Sequence, residues 1–285
     1  MRVLIIIVVM VIIVISSLAF IFNAQTNYQN EFIPSRPMAT ITGNITYRHP
    51  YYSTDYGYAS PNLWDFNYGY GNTNMTLYTN GSVYTIAKLY GRISIFAYPS
   101  VHFTLGMPML LQSVYASNLA SFVSFNIVTS KGAYEDVIYD LFLGQGGDLQ
   151  YEMEIVLFLG HSKPEGLQKS LNFTSSMQVN GKNEDVTWYF LQGVSSAGSF
   201  PDYMFISSIN TTNEMSYIVH FSPFLHFLQN NGYIPSTISI IRLGIGSEFG
   251  GGISPLTYSF WMYSYFMENG KKFQVIQPSG VITDE

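Results

Sequence analysis

Three acids stand in stretches that otherwise read as buried strands: Asp140 in "DVIYDLFLG", Glu154 in "YEMEIVLFLG" and Glu248 in "STISIIRLGIGSEFGGG". Only 11% of the chain is charged, so acids inside apolar runs are not background. A carboxylate and a carboxylic acid held together can hydrolyse a glycosidic bond, because one protonates the departing oxygen while the other stabilises the positive charge of an oxocarbenium-like state. The separation is about 5 to 5.5 Å for retention and about 6.5 to 9.5 Å for inversion. A third acid nearby keeps one of the pair protonated by like-charge repulsion. The same residues could instead be edge-strand charges that oppose aggregation, and residue type alone leaves both readings open.

Position on the strands narrows the choice. Side chains alternate between the faces of a strand, so Tyr151, Met153, Ile155, Leu157 and Leu159 form one apolar set that should face a core. Glu152, Glu154, Val156 and Phe158 form the other, which is not the pattern of a solvated face. Alternation through the later stretch puts Ile238, Ile240, Arg242, Gly244, Gly246 and Glu248 on one side, with Ile241, Leu243, Ile245 and Ser247 on the other. The glycines there predict room for a ligand against the backbone. Asp140 shares its face with Ile138 and Phe142.

Many short β-type runs, separated by turn signals such as "TNGS" at Thr79 to Ser82, must carry these residues. With 47% hydrophobic residues, 23 Tyr, 21 Phe and 24 Gly, the chain reads as all-β. The expected architecture is two packed antiparallel sheets in a sandwich or jelly roll. One short helix is expected over "SPFLHFLQNNGYIP", with Ser222 as N-cap, Pro223 at the first helical position and Asn231-Gly232 as the stop. One folded domain, residues 38–280, fits a chain of 285 residues.

Before that domain, residues 1–24 carry an uncharged, mostly apolar run from Val3 to Phe22 behind Arg2, and residues 25–37 form a polar, proline-bearing linker. The run is long enough to span a bilayer and is either an uncleaved anchor or a cleaved signal. A buried core helix fits less well, since the run is apolar on all sides. Either way the expected location is extracellular, secreted or anchored to the outer face of the membrane. N-x-S/T triplets at Asn44, Asn74, Asn80, Asn172 and Asn210 agree with export, although such triplets also arise by chance. A surface of Ser, Thr, Asn and Tyr would keep its solvation in acid, so acid tolerance is expected as well.

Several chemistries are excluded. The net charge of -6 and the lack of a Lys/Arg cluster argue against nucleic acid. There are no cysteines, so disulfides, thiol catalysis and cysteine-ligated zinc are ruled out. His49, His102, His161, His220 and His226 show no ligand spacing, and no metal or cofactor is called for. No G-x-S-x-G elbow or phosphate-binding loop is present.

The order of the motifs resembles that of the family 12 glycoside hydrolases, the β-jelly-roll endoglucanases. Glu154-Ile155-Val156-Leu157-Phe158-Leu159-Gly160 is similar to the family's nucleophile strand, and Gly246-Ser247-Glu248 with "FGGG" is similar to its acid/base motif. "NLWDF" with Trp64, "AYPSV" with Tyr98, "VIYDLFL" with Asp140 and "VTWYFLQG" with Trp188 follow the family order, so the resemblance runs from about Asn62 to Phe260. It implies endo-hydrolysis of β-1,4-glucan with retention. Glu154 would be the nucleophile, Glu248 the general acid/base and Asp140 the acid beside the nucleophile. Trp64, Phe158, Trp188, Tyr98 and Glu152 would line the sugar site, with a β-glucan as the partner of a monomeric enzyme. Phe158 stands where the family has tryptophan, Val156 where it has methionine and Pro61 where it has asparagine, which touches substrate range more than reaction type. The alternative is a carbohydrate-binding or cell-surface jelly roll without catalysis, which would have no need of both Glu154 and Glu248.

Overall fold

The computed structural model describes residues 35–44, 50–62, 69–91, 97–104, 106–130, 134–145, 151–160, 171–195, 199–209, 214–250 and 255–283. The apolar N-terminal segment, most of the expected linker, Trp64 and the triplet at Asn210 lie outside them. Among the described residues no helix is long and apolar enough to cross a membrane.

The described strands, numbered in chain order, form two layers. In the outer layer β1 (Pro37–Asn44) pairs with β4 (Gly69–Tyr78), β4 with β5 (Ser82–Gly91), β5 with β16 (Leu256–Glu268), β16 with β8 (Ala120–Thr129) and β8 with β14 (Glu214–His220). In the other layer, called here the site sheet, the order is β18 (Val281–Thr283), β2 (Tyr51–Thr54), β3 (Gly57–Ser60), β6 (Ser100–Phe103), β15 (Ile238–Gly250), β9 (Tyr134–Gln145), β10 (Met153–Gly160), β13 (Pro201–Ser207), β12 (Lys182–Val194) and β11 (Asn172–Val179). β11 also meets β14 at Gln178↔Ile218 and Val179↔Tyr217, so the layers join along one margin. The short β7 (Met109–Leu110) pairs with β15, and β17 (Lys271–Phe273) turns back on β16. β18 begins one residue past the expected domain end at 280, and its pairing with β2 makes it part of the fold.

Alternation builds the core between the layers. Val137, Tyr139, Leu141 and Leu143 of β9 and Ile155, Leu157 and Leu159 of β10 meet Tyr258, Phe260, Met262 and Phe266 of β16 from the opposite layer. Each such side chain contributes about 1.5 to 3 kcal/mol by leaving water. The "TNGS" stretch makes the β4–β5 hairpin, with Gly81 at φ +84 and the Asn80 Oδ1 accepting the Ser82 N–H at 3.1 Å.

Two helices are found among the described residues rather than the one expected. The unforeseen α1 (Leu111–Ser117) buries Leu111 and Val114 and stops at Asn118, whose left-handed backbone satisfies the helix end. The second, α2 (Ser222–Asn230), starts one residue earlier than expected: Phe221 is the N-cap, so Ser222 and Pro223 open the helix itself. Its Phe224, Leu225 and Leu228 close the core.

The largest departure from simple alternation is a β-bulge in β15. Ile240 pairs with Leu143 but Arg242 pairs with Phe142, so one residue is inserted between them. The parity changes there: Ile238 and Ile240 join Leu243, Ile245 and Phe249 in the core, while Arg242, Gly244, Gly246 and Glu248 share the opposite, site-bearing face.

Candidate active site

The site face is assembled from cross-strand neighbours. Glu154 on β10 lies beside Phe142 of β9 on one side and Asp202 of β13 on the other, the latter through the parallel β10–β13 pair. One step along, Asp140 lies between Val156 and Gly244. Arg242 lies beyond Phe142, and Glu248 occupies the far end of the same face on β15, opposite Asp136. Side chains within a row are separated by one strand spacing, about 4.7 to 4.9 Å.

The Ser195 hydroxyl, at the end of β12, donates to Glu154 Oε2. A fixed donor at one carboxylate oxygen orients the group. Asp140 is buried, and Arg242 Nη2 lies 3.8 Å from its Oδ2. The guanidinium is held over the Phe142 ring at 4.1 Å and the Tyr151 ring at 5.0 Å, and its Nη1 donates to the Tyr58 hydroxyl at 3.4 Å.

The carboxyls differ in how they hold protons, and the cause is their environment. Burial, reinforced by the negative charge of Glu154, pushes Asp140 well above the usual carboxylate range in spite of Arg242. Burial and the Glu154 charge raise Asp202 to about 7. Glu248 is also raised to about 7, by burial first and then by the charges of Glu154 and Asp202. The arrangement can therefore present one carboxylate among neighbours that keep their protons near neutrality, the division of labour between nucleophile and acid. Among the described residues no His and acid side chains are grouped to hold a metal ion.

Beside the acids is a cavity of about 460 Å³, lined by Tyr51, Tyr58, Tyr151, Asn62, His102 and Arg242 among others. His102 stacks on Tyr58 at 4.5 Å between ring centroids, and its Nε2 lies 2.8 Å from Ser100 Oγ. Burial lowers its pKa well below the usual value, so the ring is neutral.

Several expectations change in this light. The space above the β15 glycines is filled by the protein itself: a Cβ on Gly244 would fall 2.7 Å from the His102 ring, and one on Gly246 would fall 2.7 Å from the Tyr98 ring. These glycines admit side chains from β6 and the segment before it, not a ligand. Trp188 is 0% exposed, packs edge-on against Phe224 of α2 at 4.7 Å and donates through Nε1 to Ser175 Oγ at 3.0 Å. It belongs to the core and has no face for a sugar, because it shares the inward parity of Val186 and Phe190. Tyr151 precedes β10 and lines the cavity instead of joining the core set. Tyr98 is buried with Ile138 and Val156 beneath the half-buried Phe158, so Tyr98 is floor and Phe158 surface. Glu152 lies just before β10, its N–H bonded to the Leu143 carbonyl at 2.8 Å, and its carboxyl enters none of the contacts above.

No family model matches the sequence, and no curated protein matches it. Solved structures do match in three dimensions. A family 12 xyloglucanase from Bacillus licheniformis in complex with ligand superposes with a TM-score of 0.57 at 14% identity, over 87% of this chain and 100% of that one. The xyloglucanase domain of NopAA, a type three effector from Sinorhizobium fredii in complex with cellobiose, does so with a TM-score of 0.54 at 17% identity, over 89% and 100%. The catalytic domain of Humicola grisea Cel12A with a soaked thio cellotetraose gives 0.55 at 18% identity, over 76% and 95%. The fold is that of the family 12 glycoside hydrolases. Within the family 12 fold, the strand resembling the nucleophile motif is β10 and the strand resembling the acid/base motif is β15, with the Asp140 strand between them.

Three residues of the site were not foreseen: Asp202, Arg242 and Ser195. Asp202 had a legible signal, since Asp202, Met204 and Ile206 alternate as Glu154, Val156 and Phe158 do, and the two rows are direct partners. Arg242 was placed on the Glu248 face without a role. Ser195 follows a strand and carries no motif.

Proposed function

We propose that the protein is an endo-acting retaining glycoside hydrolase of β-1,4-glucans. The observation that carries the reading is the placement of Glu154, held by the Ser195 hydroxyl, and Glu248 on one face of the site sheet with the Asp140 strand between them, where burial and the Glu154 charge push Glu248 up to about 7 and favour its acid form. Glu154 attacks the anomeric carbon as the Glu248 proton passes to the departing oxygen, giving a glycosyl-enzyme and a shortened chain. The Glu248 carboxylate then takes a proton from water, whose oxygen attacks the same carbon and releases Glu154. Two inversions leave the anomeric configuration unchanged. Asp140, protonated next to Glu154, limits the build-up of negative charge. The glucan substrate is supported by the neighbours of the same fold, which include endoglucanases, xyloglucanases and complexes with cellobiose and a thio cellotetraose.

The test is reducing-sugar release from soluble β-glucans together with the anomeric configuration of the first product by NMR. Release with the β-anomer formed first is expected. Wild-type activity in both Glu154→Gln and Glu248→Gln would remove the assignment of roles. Export, with the N-terminal segment as anchor or cleaved signal, is part of the same proposal, and the mass of the natural N-terminus decides between those two.

A further inference from the structure

The hydrolase reading uses the acids and leaves the cavity at Arg242 without a role. Among the described residues lining that cavity, Arg242 is the one formally charged side chain, because the His102 beside it is buried and neutral. Its side chain is 24% exposed, so the cation is reachable. Phe142 and Tyr151, whose ring centroids are 4.5 Å apart, pack together against one side of the guanidinium, and its Nη1 donates to the Tyr58 hydroxyl, so it is held in place before any ligand arrives. The nearby carboxylate, Asp140, lies at 3.8 Å, beyond a close ion pair, and burial and Glu154 favour its neutral form. The cavity thus offers a cation with little compensation, tyrosine rings suited to a pyranose, and the neutral polar groups of Ser60 and Asn62. It is two strand spacings from Glu154 across β9, about 10 Å.

Resting on the proposed glucan hydrolysis, we infer that this cavity is a subsite for a glycosyl unit that carries a carboxylate, a uronic acid residue within or attached to a β-linked glucan chain. A carboxylate at C6 keeps the shape of the sugar and adds the partner that a fixed guanidinium binds best. Across β9, the negative charge of Glu154 would repel the same group, so recognition of a carboxylate is confined to the Arg242 side. The reading thereby gains a direction: the acidic unit lies on the Arg242 side of the bond that is cut.

The probes are a cello-oligosaccharide and the same oligosaccharide oxidised at C6 to glucuronosyl units, bound to the whole protein at mildly acidic pH and followed calorimetrically. Wild type is expected to bind the oxidised form about tenfold more tightly, the scale of one charge-assisted hydrogen-bonded contact. The preference should shrink as salt is added. Arg242→Gln should remove the preference, and Arg242→Lys should keep part of it. Because Arg242 also faces Asp140, the ratio between the two ligands is the readout, and the salt titration of wild type gives an answer even where a variant does not fold. Equal or weaker binding of the oxidised form, or a preference that persists in Arg242→Gln, overturns the inference while leaving hydrolysis of the neutral glucan standing. Binding of neither ligand overturns both.

Discussion

Glu154 and Asp202 are direct partners in the parallel β10–β13 ladder, side by side on the site face although separated by β11 and β12 in the chain. The negative charge of Glu154 adds to burial in holding Asp202 at about 7, and Asp202 in turn is one of the charges that raise Glu248. Asp202→Asn keeps the shape of the protonated acid and removes its charge. With one repulsive charge gone, Glu248 should lose its proton at lower pH. The alkaline limb of kcat/KM, expected near pH 7 in wild type from the raised Glu248, should therefore move toward acid in this variant. A limb that stays in place or moves toward alkali would show that Asp202 does not act on Glu248.

Glu248→Gln should lower kcat on a glucan by about 10²- to 10⁴-fold, the range of general acid catalysis. On an aryl glycoside whose leaving group departs without a proton, the loss in the first step should nearly vanish. Glu154→Gln should be equally damaging on both substrates, since no leaving group replaces the missing nucleophile. Burst kinetics with the two substrates separate these cases, and a leaving-group dependence in Glu154→Gln would exchange the roles.

Gly244 faces the His102 ring across the β15–β6 pair, with Tyr58 stacked on the other side of that ring. In Gly244→Ala the new Cβ would stand 2.7 Å from His102 Cε1 and Nδ1 and 3.3 Å from Tyr98 Oη. The ring has nowhere to retreat without parting from Tyr58. A loss of about 1 to 3 kcal/mol is expected from such overpacking, read as a lower midpoint in urea unfolding. An unchanged midpoint would mean that the ring moves freely, which would also loosen the Arg242 cavity.

Alternation was sufficient to group Glu154, Asp140 and Glu248 with their face-mates on their own strands because β9, β10 and the end of β15 are regular there, while the pairing of those strands brings the three onto one face. It failed at Ile238 and Ile240, where the inserted residue before Arg242 is marked by no proline or glycine. Trp188 was misread for a different reason: family resemblance overrode the plain parity of Val186, Trp188 and Phe190, which already pointed inward. Asp202 escaped because its role comes from a parallel pairing that skips two strands, and nothing local in "FPDYMFIS" marks the start of that strand as a partner of β10. The β15 glycines were visible, but not what fills the space above them, since His102 and Tyr98 lie far away in sequence. Short-range pattern thus located the acids, while the groups that set their charge depend on long-range pairing.

The raised carboxyls also make the site a source of instability with a defined pH dependence. Glu248 and Asp202 titrate near 7 in the folded protein, against ordinary values of 4.5 and 3.8. Below those ordinary values folded and unfolded chains both hold the protons, and the site carries no penalty. Between those values and about 7 the unfolded chain ionises while the folded site keeps its protons against burial and like charge, so the stability present in acid is lost across that window and the loss is complete once the folded site ionises above 7. His102 and His220, whose values are lowered by burial, act in the opposite sense as pH falls below about 6.5, so a simple wild-type profile mixes the two. Comparing variants cancels the histidines. Glu248→Gln and Asp202→Asn should each gain thermal stability relative to wild type on going from pH 5 to pH 8. A gain of about 1 kcal/mol corresponds to roughly 2 to 4 °C in Tm for a domain of this size. Scanning calorimetry at the two pH values decides the matter: a difference between variant and wild type that is the same at both would mean that these carboxyls keep their ordinary pKa values. In that case Glu248 would have no proton to give near neutral pH.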